Sequence, residues 1–474
     1  MKNFLRHSFA KLPQDFYHFQ EPEPFEHPFL VHENLMLKKD LSIEGVDSSE
    51  LIKIFNRQSQ NTDFQPLSMA YAGHQFGQYV PNLGDGRGVL FAEVEVKGMR
   101  LDLHLKGAGK TPYSRFGDGR AVLRSVIREY LCGEAMHALS IPTSRALMII
   151  GSDEPVIREK TEKAAMMVRT AQTHIRFGSF EYFYYQNQPE QVKALADYCI
   201  DQYPCFDVSE GQRYQDFFKV VVKKTALLIA KWQACGFCHG VLNTDNMSIL
   251  GETLDYGPYG FMEDYFPGYV CNHSDHQGRY AYKNQPYIGL WNCSALGHAL
   301  SSLIGEKEQE EILGTYEQIF QAELASMYRK KLGLMSEAQE DTSIIQGLLE
   351  IMENEKLDYT NTFRNLKIAL TNKKTPELKS ENAKEWIQSF QARHLQDRQN
   401  DKKKSLYMDA VNPKFILRNY MAQEVIDSAE ESEHSMIEQL LEILSKPYTE
   451  HPEFDRYADK APEWAKNLEI SCSS

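Results

Sequence analysis

The chain has 474 residues, enough to bury a large core and more than one ordinary domain, so two lobes or domains are the default organisation. A formal charge of −14 argues against a dedicated nucleic-acid binder, which carries a basic face, but leaves room for local cations around one nucleotide. No stretch reaches the roughly 18 apolar residues a membrane span needs, so no membrane partner is expected.

The N-terminal MKNFLRHSFAKLPQDF has no apolar core and no small-residue cleavage site, so no signal peptide is expected. Eight cysteines in a chain this long do not build a disulfide scaffold and fit a reducing cytoplasm. Cys235 and Cys238 form a C-x-x-C without a second pair, at the end of an apolar helical run, and read as buried thiols. No internal repeat or low-complexity linker is present.

Residues 1–60 are mixed and Pro-punctuated and read as an N-terminal extension packed on the rest of the chain. From residue 71 to 106 the pattern turns to strands: Val89, Phe91, Val94 and Val96 lead to a Lys97–Gly98 turn, after which Leu101, Leu103 and Leu105 alternate with polar residues. Ahead of this hairpin lies GDGRG, residues 84–88. Its glycines would let backbone amides approach phosphate oxygens, with Arg87 as countercharge; a plain tight turn is the other reading.

Lys106 closes the second strand. The helix predicted over 121–139 carries Glu129 near its middle, with Val122, Val126, Tyr130 and Ala138 on one face. A strand-end lysine and a glutamate on the next helix match the ion pair that positions phosphates in kinases. Between them, KTPYSRFGDGR (110–120) is too polar for a core and leads towards a helix N-terminus, where a phosphate or ribose could bind. Alternatively, Asp118 there only satisfies amide donors. Residues 143–176 read as strands again, with Arg169 and Arg176 seven apart, and close the strand-rich part.

The rest is mostly helical, with patterns over 216–237, 312–328 and 412–429. The first of these delivers the chain into HGVLNTDN (239–246), and Asp255–Tyr256–Gly257 come soon after. Kinase-type phosphotransferases use H-[RG]-D-x-x-x-x-N and then D-F-G: an Asp base, a metal-holding Asn and a second metal-holding Asp. Here the frame survives, but Val241 stands where the base belongs, and Asp245 appears beside Asn246. The pattern points to nucleotide and metal, without an ordinary kinase base.

The segments YAGHQFGQYVPNLGDGRG, LKGAGKTPYSRFGDGRAVLRSVIREYL, HGVLNTDNMSILGETLDYGPYGFM, CNHSDHQGRYAY and NPKFILRNY resemble those of the selenoprotein O family, from about residue 60 to the C-terminus. Eukaryotic members carry selenocysteine near the end of the chain; Cys472 stands here, as in bacterial members. The resemblance implies an α+β, protein-kinase-like two-lobed fold: an extension over 1–60, a strand-rich N-lobe over 61–178 and a helical C-lobe over 179–474. In that family ATP lies reversed, and AMP passes to Ser, Thr or Tyr hydroxyls of proteins with release of pyrophosphate.

Carried over residue by residue, the resemblance makes Asp245 the base and Asn246 and Asp255 the ligands of Mg²⁺ or Mn²⁺. Lys106 braced by Glu129, with Gly84, Gly86, Arg87, Asp118, Gly119, Arg169, Arg176 and Asp255, would contact the nucleotide. An atypical phosphotransferase and a noncatalytic nucleotide-binding pseudokinase are the alternative functions. A further expectation concerns redox control. Cys472 lies on the tail and Cys271 comes after the Asp255 segment, so a disulfide between them could pin a loop beside the site.

Overall fold

The alternation read around residues 88–106 forms a hairpin in the computed structural model, which describes residues 4–5, 7–58, 65–372, 375–397 and 399–470. In chain order the first strands are β1 (Phe4–Leu5), β2 (Tyr17–Phe19), β3 (Phe29–Glu33) and β4 (Leu67–Met69). Next come β5 (Gly73–Gln75) and β6 (Gln78–Val80), which pair only with each other. The longer β7 (Gly88–Val96), β8 (Met99–Lys106), β10 (Arg145–Ile157) and β11 (Thr161–Ala171) carry most of the sheet, with the short β9 (Ala121–Val122) between them in sequence. The order is β2-β4-β7-β8-β11-β10-β3, with β1 added on β7 and β9 on β11. All of these pairings are antiparallel. The described part of the N-terminal stretch is built into the sheet, since β2 forms one edge and β3 the other.

The two faces of this sheet differ in kind. On one, Val89, Leu103, Leu105, Leu147 and Val168 pack with Leu37, Leu41, Leu51 and Phe55 from two short helices, α1 (Leu35–Asp40) and α2 (Ser48–Phe55). The opposite face carries the polar residues of the alternation. Register sets Lys106 opposite Gly88 and Met167, and His104 opposite Leu90 and Arg169. These polar positions face the protein interior: Asp102, His104 and Arg169 are all buried.

Helix α3 (Leu123–Ala138) packs against this polar side, contacting β10 and β11. It begins two residues later than the spacing predicts, because Ala121 and Val122 pair with β11. Nor is it amphipathic. Arg128, Glu129 and Glu134 are buried with its apolar residues, and solvent reaches little of it.

Beyond the sheet the chain is helical, through α4 (Phe177–Tyr185), α5 (Pro189–Gln202), α6 (Arg213–Cys235) and further helices. The pattern over 312–328 is divided between helices Glu306–Leu313 and Tyr316–Lys331, which are separated at Gly314. That over 412–429 becomes helical only at Asn419, after Pro413, which has no amide hydrogen to give. There the buried Arg418 pairs with Asp358 and Glu263. Among the described residues no helix is long and apolar enough to cross a membrane. The α+β class is as expected, with a mainly antiparallel sheet and a helical remainder.

Candidate active site

Helix α6 ends at Cys235, and the chain enters a two-stranded ladder of β12 (Phe237–Cys238) and β13 (Gly260–Phe261). Residues 239–259 form the loop that this ladder closes. A His239 ring nitrogen lies 3.1 Å from the Leu254 carbonyl oxygen, tying the two limbs of the loop, and Met247 bridges Thr253 further along. A single 3-10 turn, Thr244–Asn246, carries Asp245 and Asn246. Asp255 lies on the returning limb with φ of +57°, a left-handed backbone uncommon for a non-glycine residue and a recurrent mark of functional sites. Closing the loop at its base brings two carboxylates ten positions apart into one place.

That place is a cavity of about 550 Å³ between the polar sheet face and the loop. At its inner end is an ion cluster. Lys106 Nζ contacts Glu129 Oε2 and lies 3.5 Å from Asp255 Oδ1. Arg169 Nη1 donates to Glu129 Oε1 at 2.9 Å and also to Asp255 Oδ1. Arg176 Nη1 donates to Asp255 Oδ2 and, at 2.6 Å, to the Asp245 carbonyl oxygen; its guanidinium lies over the Tyr71 ring. Burial alone would raise the Asp255 pKa, but Arg169, Arg176 and Lys106 hold it well below the usual carboxylate range. Burial likewise lowers the Lys106 pKa, against the opposing pull of Glu129 and Asp255. Seven lysine and arginine side chains line the cavity against five carboxylates, a local positive excess in a protein of formal charge −14. Such a lining suits a polyanion.

The glycine segments form the wall. Gly84 has φ of +58°, and a Cβ there would lie 2.2 Å from Tyr113 Cγ, so the two loops pack backbone against ring. The second segment is pinched where Gly109 N donates to Gly119 O at 3.0 Å; its tip is exposed, Phe116 fully so. Asp118 accepts from Arg120 N at 2.9 Å and takes both terminal nitrogens of Arg158, at 2.7 and 2.9 Å. That pairing with Arg158 holds the Asp118 pKa down.

Next to this cluster, with its carbonyl oxygen on Arg176, stands Asp245, 7% exposed. Its Oδ2 accepts from Gln75 Nε2 at 3.2 Å, while Oδ1 has no hydrogen-bond partner. Burial raises its pKa to about 6, with the Gln75 bond and Arg176 opposing. Asn246 commits Nδ2 to the Val241 carbonyl oxygen at 3.0 Å, which leaves its Oδ1 as the atom able to bind a ligand. With the Asp255 carboxylate this makes a set of hard oxygen donors, the chemistry that Mg²⁺ or Mn²⁺ takes.

The model of the family described as "Protein adenylyltransferase SelO" matches residues 1–445. The chain belongs to the SelO family. Three proteins named "Protein nucleotidyltransferase YdiU" align along nearly its whole length. That of Vibrio parahaemolyticus is 48% identical, covering 99% of this chain and 98% of the relative. Those of Aliivibrio fischeri (strain ATCC 700601 / ES114) and Vibrio cholerae are 47% and 46% identical, covering 98% and 99% of this chain and 98% of each relative. Membership of SelO puts the chain among the nucleotidyltransferase enzymes.

All twelve residues that the SelO resemblance assigns to catalysis, nucleotide or metal line this one cavity: Gly84, Gly86, Arg87, Lys106, Asp118, Gly119, Glu129, Arg169, Arg176, Asp245, Asn246 and Asp255. Sequence reading missed Gln75, Tyr113 and Arg158, each of which meets an assigned residue only through the fold. It also missed a second cluster. His7, Glu93 and Asp102 are buried with ligand atoms within 4.8 Å of one another and could hold a metal ion, away from the cavity. In the structure these atoms bond to protein: His7 Nδ1 accepts from Phe9 N, Glu93 from Ser8, and Asp102 lies 2.9 Å from nitrogens of His7 and His174. Of the expected redox pair, Cys271 is buried and its thiol donates to the Cys238 carbonyl oxygen at 3.3 Å. Cys472 lies outside the described residues.

Proposed function

We propose that this protein transfers AMP from ATP to Ser, Thr or Tyr hydroxyls of other proteins and releases pyrophosphate. The observation that carries the proposal is the make-up of the cavity: a cluster of cations and, beside it, a buried carboxylate that no cation pairs with. In this reading ATP enters with its terminal phosphate among Lys106, Arg169 and Arg176 and its α-phosphate towards Asp245. Gly84, Gly86 and Arg87 form one side of the cradle, with Asp118 and Gly119 on the other.

Asp245 takes the proton of the acceptor hydroxyl as that oxygen attacks the α-phosphorus, a contribution of roughly 10²–10⁴-fold for general-base catalysis. The lysine and arginines neutralise charge on the departing pyrophosphate and hold the phosphates in line. Asn246 and Asp255 would hold Mg²⁺ or Mn²⁺, whose chemistry when bound is to polarise phosphoryl oxygens. Val241, in the kinase base position, has no group to take a proton, which fits a base displaced to Asp245.

The same proposal includes a kinase-like division into a strand-rich lobe over 61–178 and a helical lobe over 179–474, with residues 1–60 as an extension, and a cytoplasmic setting. It also includes the Cys271–Cys472 disulfide. In its support, His273 N donates to Ile470 O at 2.9 Å, so residues two away from each cysteine are already joined. Nonreducing peptide mapping after oxidant treatment tests it, and two free thiols would end it.

Intact mass of an acceptor protein after incubation with ATP and metal tests the function. A gain of AMP is expected. A gain of phosphate would make the protein an atypical phosphotransferase, and an unchanged mass a nucleotide-binding pseudokinase.

A further inference from the structure

The hairpin of β5 and β6 does not join the main sheet, yet it is fastened to the loop that carries Asp245. His74 N donates to Thr244 Oγ1 at 2.7 Å, and Phe76 N donates to Tyr280 OH at 2.8 Å and to Asn243 Oδ1 at 3.3 Å. Tyr280 OH in turn donates to Asn243 Oδ1. A third anchor is Glu181 on α4, which is buried, accepts from Thr244 and lies 2.6 Å from His74 Nδ1. These bonds fix residues 74 and 76, the two neighbours of Gln75, against residues 243 and 244, directly before Asp245.

Two features then act on the Asp245 carboxyl itself. Gly73 lies so close that a Cβ there would fall 2.6 Å from Asp245 Oδ1, so only the absence of a side chain leaves the carboxyl in its place. Gln75 Nε2 bonds to Oδ2 at 3.2 Å and fixes the direction of that oxygen. Oδ1 is left buried and unpartnered. A carboxylate can present either oxygen, and a free one can turn about χ2. Here one oxygen is occupied and the rotamer is walled in.

We propose that Gln75 is a positioning residue for the transfer reaction, holding the Asp245 carboxyl in the orientation in which it meets the acceptor hydroxyl. The inference rests on Asp245 being the base. It adds that this orientation is set by the hairpin and not by the loop that bears the carboxylate. Gln75 lines the cavity but bonds to neither the cation cluster nor Asn246 or Asp255, so its loss is expected to spare nucleotide affinity. A displacement of about 1 Å at a reacting group can lower the rate on the order of 10²-fold.

The test compares Gln75→Leu, Gln75→Glu and Asp245→Asn in the full chain, by incorporation of α-labelled ATP into casein and by calorimetric ATP affinity. Gln75→Leu is expected to lower kcat by up to about 10²-fold with KM for ATP, ATP affinity and melting temperature unchanged. Gln75→Glu has the same length but sets a second carboxylate against Asp245, and is expected to be slower than Gln75→Leu. A residue that merely shaped the hairpin would give the opposite order, since the isosteric variant would rescue. Wild-type kcat in Gln75→Leu, an equal or faster Gln75→Glu, or a parallel loss of ATP affinity overturns the proposal while Asp245→Asn remains inactive. Full activity in Asp245→Asn overturns the base assignment beneath it.

Discussion

The two carboxylates of the loop sit in opposite settings. Around Asp255 every charged group is already engaged: Asp255 meets Lys106, Arg169 and Arg176, and Glu129 meets two of them. Asp245 is buried with one of its carboxyl oxygens unpartnered. Desolvation acts on both carboxyls, yet the Asp255 pKa goes down and that of Asp245 goes up. The difference lies in the neighbours. Guanidinium groups stabilise a buried charge, whereas one amide hydrogen bond does so only in part. A saturated cluster binds and holds, and a half-satisfied group is ready to react.

If the two carboxylates have separate tasks in this way, substitutions should divide cleanly. Chelating divalent metal should abolish transfer, with no change in melting temperature, because Asp255 is already paired within the protein. A large fall in melting temperature would mean that the metal, rather than the arginines, holds the inner end together. Asp245→Asn should reduce transfer of labelled AMP by about 10²–10⁴-fold while calorimetry finds ATP affinity unchanged. If affinity fell in step, the Asp245 carboxyl would be part of the binding site and the contrast would fail.

Smaller effects sharpen the inner half. Lys106→Met or Arg169→Met should weaken ATP binding about 10- to 100-fold, from the roughly 1.5–3 kcal/mol of a hydrogen bond to a charged group. Arg158→Met should cost least, near the ~0.2–1 kcal/mol of an exposed ion pair, since the Asp118 carboxyl it holds is half open to solvent. Equilibrium dialysis with ATP ranks these variants. An Arg158 effect as large as that of Lys106 would move the phosphate site outward, towards the second glycine segment.

Sequence alone revealed the parts of this site that sit in local frames. Asp245, Asn246 and Asp255 were readable because a loop fixes their spacing, and Lys106 with Glu129 because a strand end and the next helix do so. The residues that escaped depend on long-range packing. Gln75 meets Asp245 across 170 residues and belongs to a hairpin too short to announce itself. The alternation in β8 tells one side from the other without saying which side is wet. Its polar positions face the cavity and the buried Asp102 network. Helix α3 misled for the same reason, because buried ion pairs carry the same letters as a surface. Residues 412–418 kept a helical period, but Pro413 and the pairing of Arg418 hold them in another shape.

The pinched loop over 109–119 has a practical consequence. A fully exposed phenylalanine at its tip, Phe116, is an evident target for chymotrypsin, as exposed loop tips are where proteolysis concentrates. At the neck of the same loop, Gly119 lines the cavity proposed for the nucleotide. Cleavage there becomes a gauge of occupancy: a ligand seated against the neck should slow the nick, and the rate of fragment appearance would report binding without any acceptor protein in hand.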